Sequence, residues 1–216
     1  MVEFDSFADR YSQIINKRGR HWGSHDYFTW RKISFLKEIL SENALQGGSV
    51  LDFGAGTGVY TDALQNTLYK VIGVDPSFKM IHSRKVAHFD GKMLPFRNNS
   101  FDIVYSICVF HHIIPENRPC VFQGIKRVLK PNGLFIMMEH NLLNPITRYL
   151  VLGLDMDKNA IFISPKQGKK MLSHYFDNIN CSYILFFPEI LKKLTPMEKF
   201  LLFFPIGGQY VLTCRK

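Results

Sequence analysis

The sequence predicts a three-layer α/β protein, a mostly parallel sheet with helices on both faces, and three observations carry that expectation. Short apolar runs alternate with helical stretches through the middle of the chain, the pattern of strand-helix-strand units joined by right-handed crossovers. Val50-Leu51-Asp52-Phe53 and Lys70-Val71-Ile72-Gly73-Val74-Asp75 are apolar with little alternation, as strands buried on both faces are. The first of them runs straight into Gly54-Ala55-Gly56-Thr57-Gly58, a glycine-rich turn at a strand-to-helix junction. At 216 residues the chain is most simply one domain, 1–216, large enough to bury a full core.

Residues 1–47 read as an N-terminal helical cap. Phe4, Phe7, Tyr11, Ile14 and Ile15 recur at helical spacing, as do Ile33, Leu36, Ile39 and Leu40, before a turn at Gln46-Gly47-Gly48. After the second strand Pro76-Ser77 starts a helix with Met80 one turn in. Phe101–Ile107 is a further strand, followed by Cys108-Val109-Phe110-His111-His112. Val128–Ile136 contains a helix end, a Pro-Asn-Gly turn and another strand. Ser164-Pro165, cap and first-turn proline, opens a helix through Tyr175. Two closing strands lie around Cys181–Phe187 and Gln209–Cys214. Two stretches, 140–163 and 188–208, exceed what the minimal fold needs and are expected to roof the substrate side, because ligands in open α/β sheets bind at the strands' carboxyl ends. Phe200–Phe204 is either a core-packed helix end or an apolar acceptor or membrane surface.

The glycines point to a nucleotide-like cofactor. Glycine permits φ > 0 and leaves no Cβ, so a ligand can lie against the turn while the next helix aims free N–H groups at it. The spacing at 54, 56 and 58 places Val59 where a dinucleotide site wants its third glycine, and no Gly-Lys-Ser/Thr follows as in a P-loop. Asp75, at the next strand tip, is placed to receive a ribose diol with two charge-assisted hydrogen bonds.

The run from Asp52 to Gly58, then Asp75, Asp90-Gly91 with Leu94-Pro95-Phe96, the strand at 101–107 and the Pro131-Asn132-Gly133 turn together resemble the class I S-adenosylmethionine (SAM) methyltransferases. The resemblance covers nearly the whole chain and looks closest to the small-molecule branch of ubiquinone/menaquinone-type enzymes. It implies a Rossmann-like doubly wound sheet whose last strand is antiparallel and inserted between its neighbours. It implies SAM as cofactor and S-adenosyl-L-homocysteine as product, held by Tyr11, Asp52, Gly54, Ala55, Gly56, Gly58, Asp75, Pro76, Met80, Asp90, Gly91, Ser106 and Ile107. Asp52 would orient the loop and the amino acid end of the cofactor, and Asp90 would reach the adenine amino group. The function implied is methyl transfer by in-line SN2 displacement to a small-molecule, lipid or saccharide-type acceptor. A base near the strand tips serves an acceptor that must lose a proton, and His111 and His140 are the candidate catalytic residues, with His112 and Glu139 beside them. A non-catalytic SAM-binding regulatory module and an RNA methyltransferase are the alternatives. Asn144-Pro145-Ile146-Thr147 follows the fifth strand rather than the fourth, where adenine N-methyltransferases carry Asn-Pro-Pro-Tyr. No Pro-Cys pair follows the fourth strand as cytosine C5 methylation requires.

A hydrophobic content of 46% with 21% charged residues fits a globular protein. Cys108, Cys120, Cys181 and Cys214 are scattered without a Cys-x-x-Cys pair, so neither a disulfide framework nor a metal site is expected, and a reducing compartment is. The acidic start, Met1–Asp5, is unlike a targeting signal, and no apolar run approaches the ~18 residues of a membrane span. A cytoplasmic enzyme is expected. The 27 basic against 18 acidic residues give a net charge of +9, which reads first as solvated helix faces and otherwise suits a phosphorylated substrate, nucleic acid or a peripheral contact with anionic membrane. The excess is spread over the chain with no RNA-binding module, so nucleic acid is the lesser expectation.

Overall fold

The computed structural model describes residues 3–8, 14, 22–43, 47–65 and 69–216. Its single sheet holds β1 (Ser49–Phe53), β2 (Lys70–Asp75), β3 (Val86–His88), β4 (Phe101–Ile107), β5 (Leu129–His140), β6 (Asp177–Ile184) and β7 (Gln209–Arg215), in the order β3-β2-β1-β4-β5-β7-β6. Strands β1 to β5 pair in parallel, while β7 runs antiparallel to both of its neighbours, β5 and β6. The inserted antiparallel last strand is as expected. The chain leaves β1 toward β2 on one side and returns to β4 on the other, so the strand order reverses there and opens a crevice at the carboxyl ends.

The helices are α1 (His25–Glu42), α2 (Val59–Gln65), α3 (Arg118–Val128), α4 (Pro145–Val151) and α5 (Pro165–Leu172). Successive strand residues point to opposite faces, which yields two cores. Val50, Ile103, Tyr105, Leu134, Ile136 and Met138 pack with Leu36, Ile39 and Leu40 of α1 and Leu64 of α2. Leu51, Phe53, Val104, Phe135 and Met137 pack with Phe122, Ile125 and Val128 of α3 and Leu172 of α5. Helix, sheet and helix are the three layers. Ser24 caps α1 by accepting from the Tyr27 N–H, and Ser164 with Gln167 forms a capping box at α5.

Two local expectations are corrected. After Pro76-Ser77 the chain makes only a single 3₁₀ turn, Phe78–Met80, capped by the Ser77 hydroxyl. The segment from Asp75 to Val86 is shorter than the dozen or more residues of a helical crossover. Strand β6 stops at Ile184 rather than Phe187, because Leu185 adopts φ +62° and leaves the ladder. Within the N-terminal cap the described residues hold a 3₁₀ turn at Glu3–Ser6 and α1, whereas Tyr11 and Ile15 lie outside the described residues. Among the described residues no helix is long and apolar enough to cross a membrane.

Candidate functional site

The glycine turn is tied to β2 from both sides. The N–H groups of Gly54 and Ala55 both donate to Val74 O, at 2.9 and 3.0 Å, and Gly56 N–H donates to Asp75 Oδ2 at 2.7 Å. Gly54 and Gly58 take φ of +77° and +82°, and a Cβ would fall 2.5 Å from Val109 Cγ2 at the first and 2.4 Å from Ser83 Cβ at the second. Neither position tolerates a side chain. Helix α2 follows at once with its first N–H groups facing the turn.

Asp75 is buried and accepts a second bond from Ser77 N–H at 2.8 Å. Burial lifts its carboxyl above the ordinary range although both amides oppose the shift. Asp52 accepts from the Thr61 hydroxyl at 2.7 Å, which locks β1 to α2. Desolvation pushes its carboxyl up to about 7, against the bond from Thr61. The folded state therefore keeps a proton on Asp52 that an unfolded chain releases near pH 4, and this group's contribution to stability falls as pH rises from about 4 to about 7. Asp52→Asn, which mimics the protonated form, should melt close to wild type at pH 4 and below, and above it at pH 8, by up to about 4 kcal/mol as an upper bound. Melting curves of both proteins across that range test this, and a gap independent of pH would refute it.

A cavity of about 530 Å³ opens from this cradle. Asp52, Gly54, Ala55, Gly56, Asp75, Pro76, Met80, Gly91 and Ile107 line it, joined by Phe89. Gly58 stands just behind, packed on Ser83. Ser106 is fully buried beneath the floor and does not line it. Asp90 is exposed and turns its carboxylate onto the N–H groups of Lys92 and Met93, so the structure does not bring it to the cavity wall. From the N-terminus, Asp5 accepts from the Ser77 hydroxyl at 2.6 Å beside the cofactor end.

The far end of the cavity is polar. His111, His112, His140 and Asp157 line it, and Glu139 lies directly behind. Glu139, fully buried, accepts from Val109 N–H (3.2 Å), Phe110 N–H (2.7 Å) and His111 Nδ1 (2.5 Å). The opposite nitrogen of His111 faces Asp157 Oδ1 at 3.7 Å, and His112 Nε2 approaches the same oxygen at 3.4 Å. Phe162 stacks on the His111 ring at 5.2 Å. Burial alone would lower the His111 pKa, but Glu139 and then Asp157 hold it well above its ordinary range. Burial and the neighbouring His111 charge push His112 and His140 down to about 4. Of the two candidate catalytic histidines, His111 is thus held toward the imidazolium form and His140 toward the neutral ring. His140 also lies 3.4 Å from Gln209 Nε2, which in turn contacts Cys108 Sγ at 3.1 Å.

Both insertions stand over this end, unequally. Ile146, Thr147, Leu150, Val151, Leu154 and Met156 from the first line the cavity opposite Phe28, Phe186 and Phe187. Buried Arg118 fixes that roof by donating to Ile113 O and Ile161 O, while Ile161 N–H donates to His111 O. From 188–208 only Pro188 and Gly208 reach the cavity. The 3₁₀ segment Glu189–Phe200 instead clamps onto the N-terminal layer, its buried Glu198 accepting from Arg31 at 2.5 Å and from Phe186 N–H at 3.0 Å. Phe200, Phe203 and Phe204 are exposed, so neither the core nor the acceptor-pocket reading of them holds. Asp157, Lys32 and Gln209 are cavity residues that sequence reasoning missed. Asp157 had a faint signal in the Asp155-Met156-Asp157 run.

Comparison with known proteins agrees with this geometry. Residues 51–137 match the family model described as a methyltransferase domain. A demethylmenaquinone methyltransferase of Staphylococcus saprophyticus is 32% identical over 51% of this chain and 51% of that protein. A tRNA (carboxymethyluridine(34)-5-O)-methyltransferase of Arabidopsis thaliana is 30% identical over 54% of this chain and 29% of that one. The fold of a SAM-dependent methyltransferase from Thermotoga maritima superposes with a TM-score of 0.72 at 18% identity, covering 99% of this chain and 98% of that one. The chain spans about half the length of several curated relatives, and less of the plant protein.

Proposed function

We propose that the chain is a class I, SAM-dependent methyltransferase that moves the methyl group of SAM by in-line displacement onto a small-molecule, lipid or saccharide-type acceptor, a reading supported by the methyltransferase-domain match over residues 51–137 and by the fold. One observation carries this reading: a single cavity joins the glycine cradle to the histidine cluster under a largely apolar roof. The cradle suits SAM. Gly56 presents bare backbone to the cavity, with Met80 Cε 3.8 Å from its Cβ position, and Asp75 keeps lone pairs beyond those that Gly56 and Ser77 use. Bound there, SAM supplies a methyl group already activated on sulfur, which leaves positioning and water exclusion to the protein. Ile146, Leu150, Met156 and Phe187 exclude water from the roof, while neutral His140 and cationic His111 offer the acceptor's heteroatom a proton acceptor and a donor. His140→Ala should lower transfer about 100-fold or more with SAM affinity little changed.

The test is transfer of radiolabel from SAM into fractionated cell extract, after calorimetry with SAM and S-adenosylhomocysteine. Label in a small-molecule or lipid fraction supports the proposal. Label only in RNA favours the reading that the +9 charge and the plant tRNA relative motivate. Binding without transfer identifies a regulatory module, and no binding removes the whole reading.

We also infer a peripheral contact with anionic membrane. Ile190, Met197, Phe200, Phe203 and Ile206 are exposed together with Lys192, Lys193 and Lys199, an apolar row with basic neighbours. Asn141 donates to Pro205 O and Gly207 O, and Asn144 to Ile206 O, so this row joins the roof of the cavity. Vesicles containing phosphatidylglycerol should sediment the protein and pure phosphatidylcholine should not, with binding reduced severalfold in Phe200→Glu/Phe203→Glu. Equal sedimentation of both proteins would refute the contact. The four cysteines are free, which suits a reducing, cytoplasmic setting.

A further inference from the structure

We propose that His111, His112 and Asp157 form a binding site for a divalent transition metal ion, zinc first, at the acceptor end of the cavity. The three side chains come from two remote parts of the chain and present their ligand atoms to one point. His111 Nε2 and His112 Nε2 lie 3.7 and 3.4 Å from Asp157 Oδ1, and the three residues each offer a ligand atom within 4.8 Å of the other two. A tetrahedral ion with bonds of about 2.0–2.1 Å sets its ligands about 3.3 Å apart, so both histidine–Asp157 distances are already within a few tenths of an ångström of that spacing, and the two imidazoles close to it as the ion binds. Two imidazoles and one carboxylate suit zinc and its borderline neighbours rather than magnesium or calcium, which prefer oxygen throughout.

The surroundings are those of a ligating histidine. The other ring nitrogen of His111 bonds the Glu139 carboxylate, a partner that orients the ring, and an ion at Nε2 takes the place of the proton there, which leaves to solvent. Phe162 holds the same ring from its face, and Arg118 pins the chain on both sides of the cluster by donating to Ile113 O and Ile161 O. The three ligands all line the cavity, so a fourth position faces its interior. Three protein ligands with one open position is the arrangement of a catalytic rather than a structural ion. If the methyl-transfer reading holds, that position takes an oxygen of the acceptor; ion binding itself does not depend on that reading.

The experiment uses tag-free protein stripped with chelator and dialysed against zinc, with metal content measured per chain, and repeats the loading with cobalt(II). One equivalent of zinc, and the strong visible absorption of four-coordinate cobalt, are expected. His112→Ala and Asp157→Asn should each bind zinc at least 10-fold more weakly while still binding SAM, which shows that they fold. Glu139→Gln should weaken the ion about 10- to 100-fold, as outer-shell partners do. No stoichiometric zinc in the wild type, or zinc retained in both variants, overturns the proposal and leaves the cluster an imidazolium held between two carboxylates. A SAM-binding protein that takes no zinc would sink this inference alone.

Discussion

Asp75→Ala is expected to weaken both SAM and S-adenosylhomocysteine by an order of magnitude or more, to the same extent. The carboxylate is buried at the tip of β2, and two of its roughly four acceptor sites hold Gly56 N–H and Ser77 N–H. The remaining sites face the cavity where the cradle meets Met80 and Gly91. A hydrogen bond to a charged group contributes about 1.5–3 kcal/mol, so losing even one costs about 10-fold or more in affinity. Alanine also strands the Gly56 amide, which loosens the turn that the ligand rests on. Substrate and product share the ribose and differ only in the methyl and its charge, so calorimetry should give equal losses for both. A loss confined to SAM would place Asp75 at the sulfonium rather than the sugar. Unchanged affinity for both would remove it from the site.

The cofactor half was largely legible because its chemistry is local. Strand, glycines and acid follow one another in sequence, and the positive φ values at Gly54 and Gly58 arise from that run alone. The central strands were legible as apolar runs buried on both faces, and the structure seats β1 and β5 between two cores. Legibility ended where function depends on convergence. Nothing near His111 announces Asp157; they meet because Arg118, on a third segment, ties the loops at Ile113 and Ile161 together. Phe200–Phe204 stayed open between core and surface for the opposite reason. Composition reports that a stretch is apolar, while the Glu198–Arg31 pair decides which side of that stretch is held inward. Asp90 shows a third limit, since a motif fixes the residue but not whether its own loop amides capture the carboxylate first.

Glu139→Leu should cost the protein more stability than any other single change at the site. The side chain is fully buried and accepts from two backbone amides and from His111 Nδ1. Leucine fills a similar volume but accepts nothing, so it leaves a buried imidazole and two amides without their acceptor. Breaking one side of a buried charge pair costs about 3–5 kcal/mol, which in a chain of this length lowers the melting temperature by roughly 6–20 °C. Glu139→Gln keeps an oxygen for the Phe110 amide and should lose distinctly less. The difference between the two isolates the amide contribution from the charge. Pairing each with His111→Phe completes a double-mutant cycle, and Glu139→Leu should become markedly less harmful once His111 is gone, because no imidazolium is then left uncompensated. The measurement is denaturant unfolding with chelator present, so that all variants are compared free of metal. Should Glu139→Leu melt within a degree or two of wild type, the buried pair is not what holds the end of β5 against the His111 turn. The apolar packing of Phe110 on Phe122 at 4.7 Å would then carry that junction by itself.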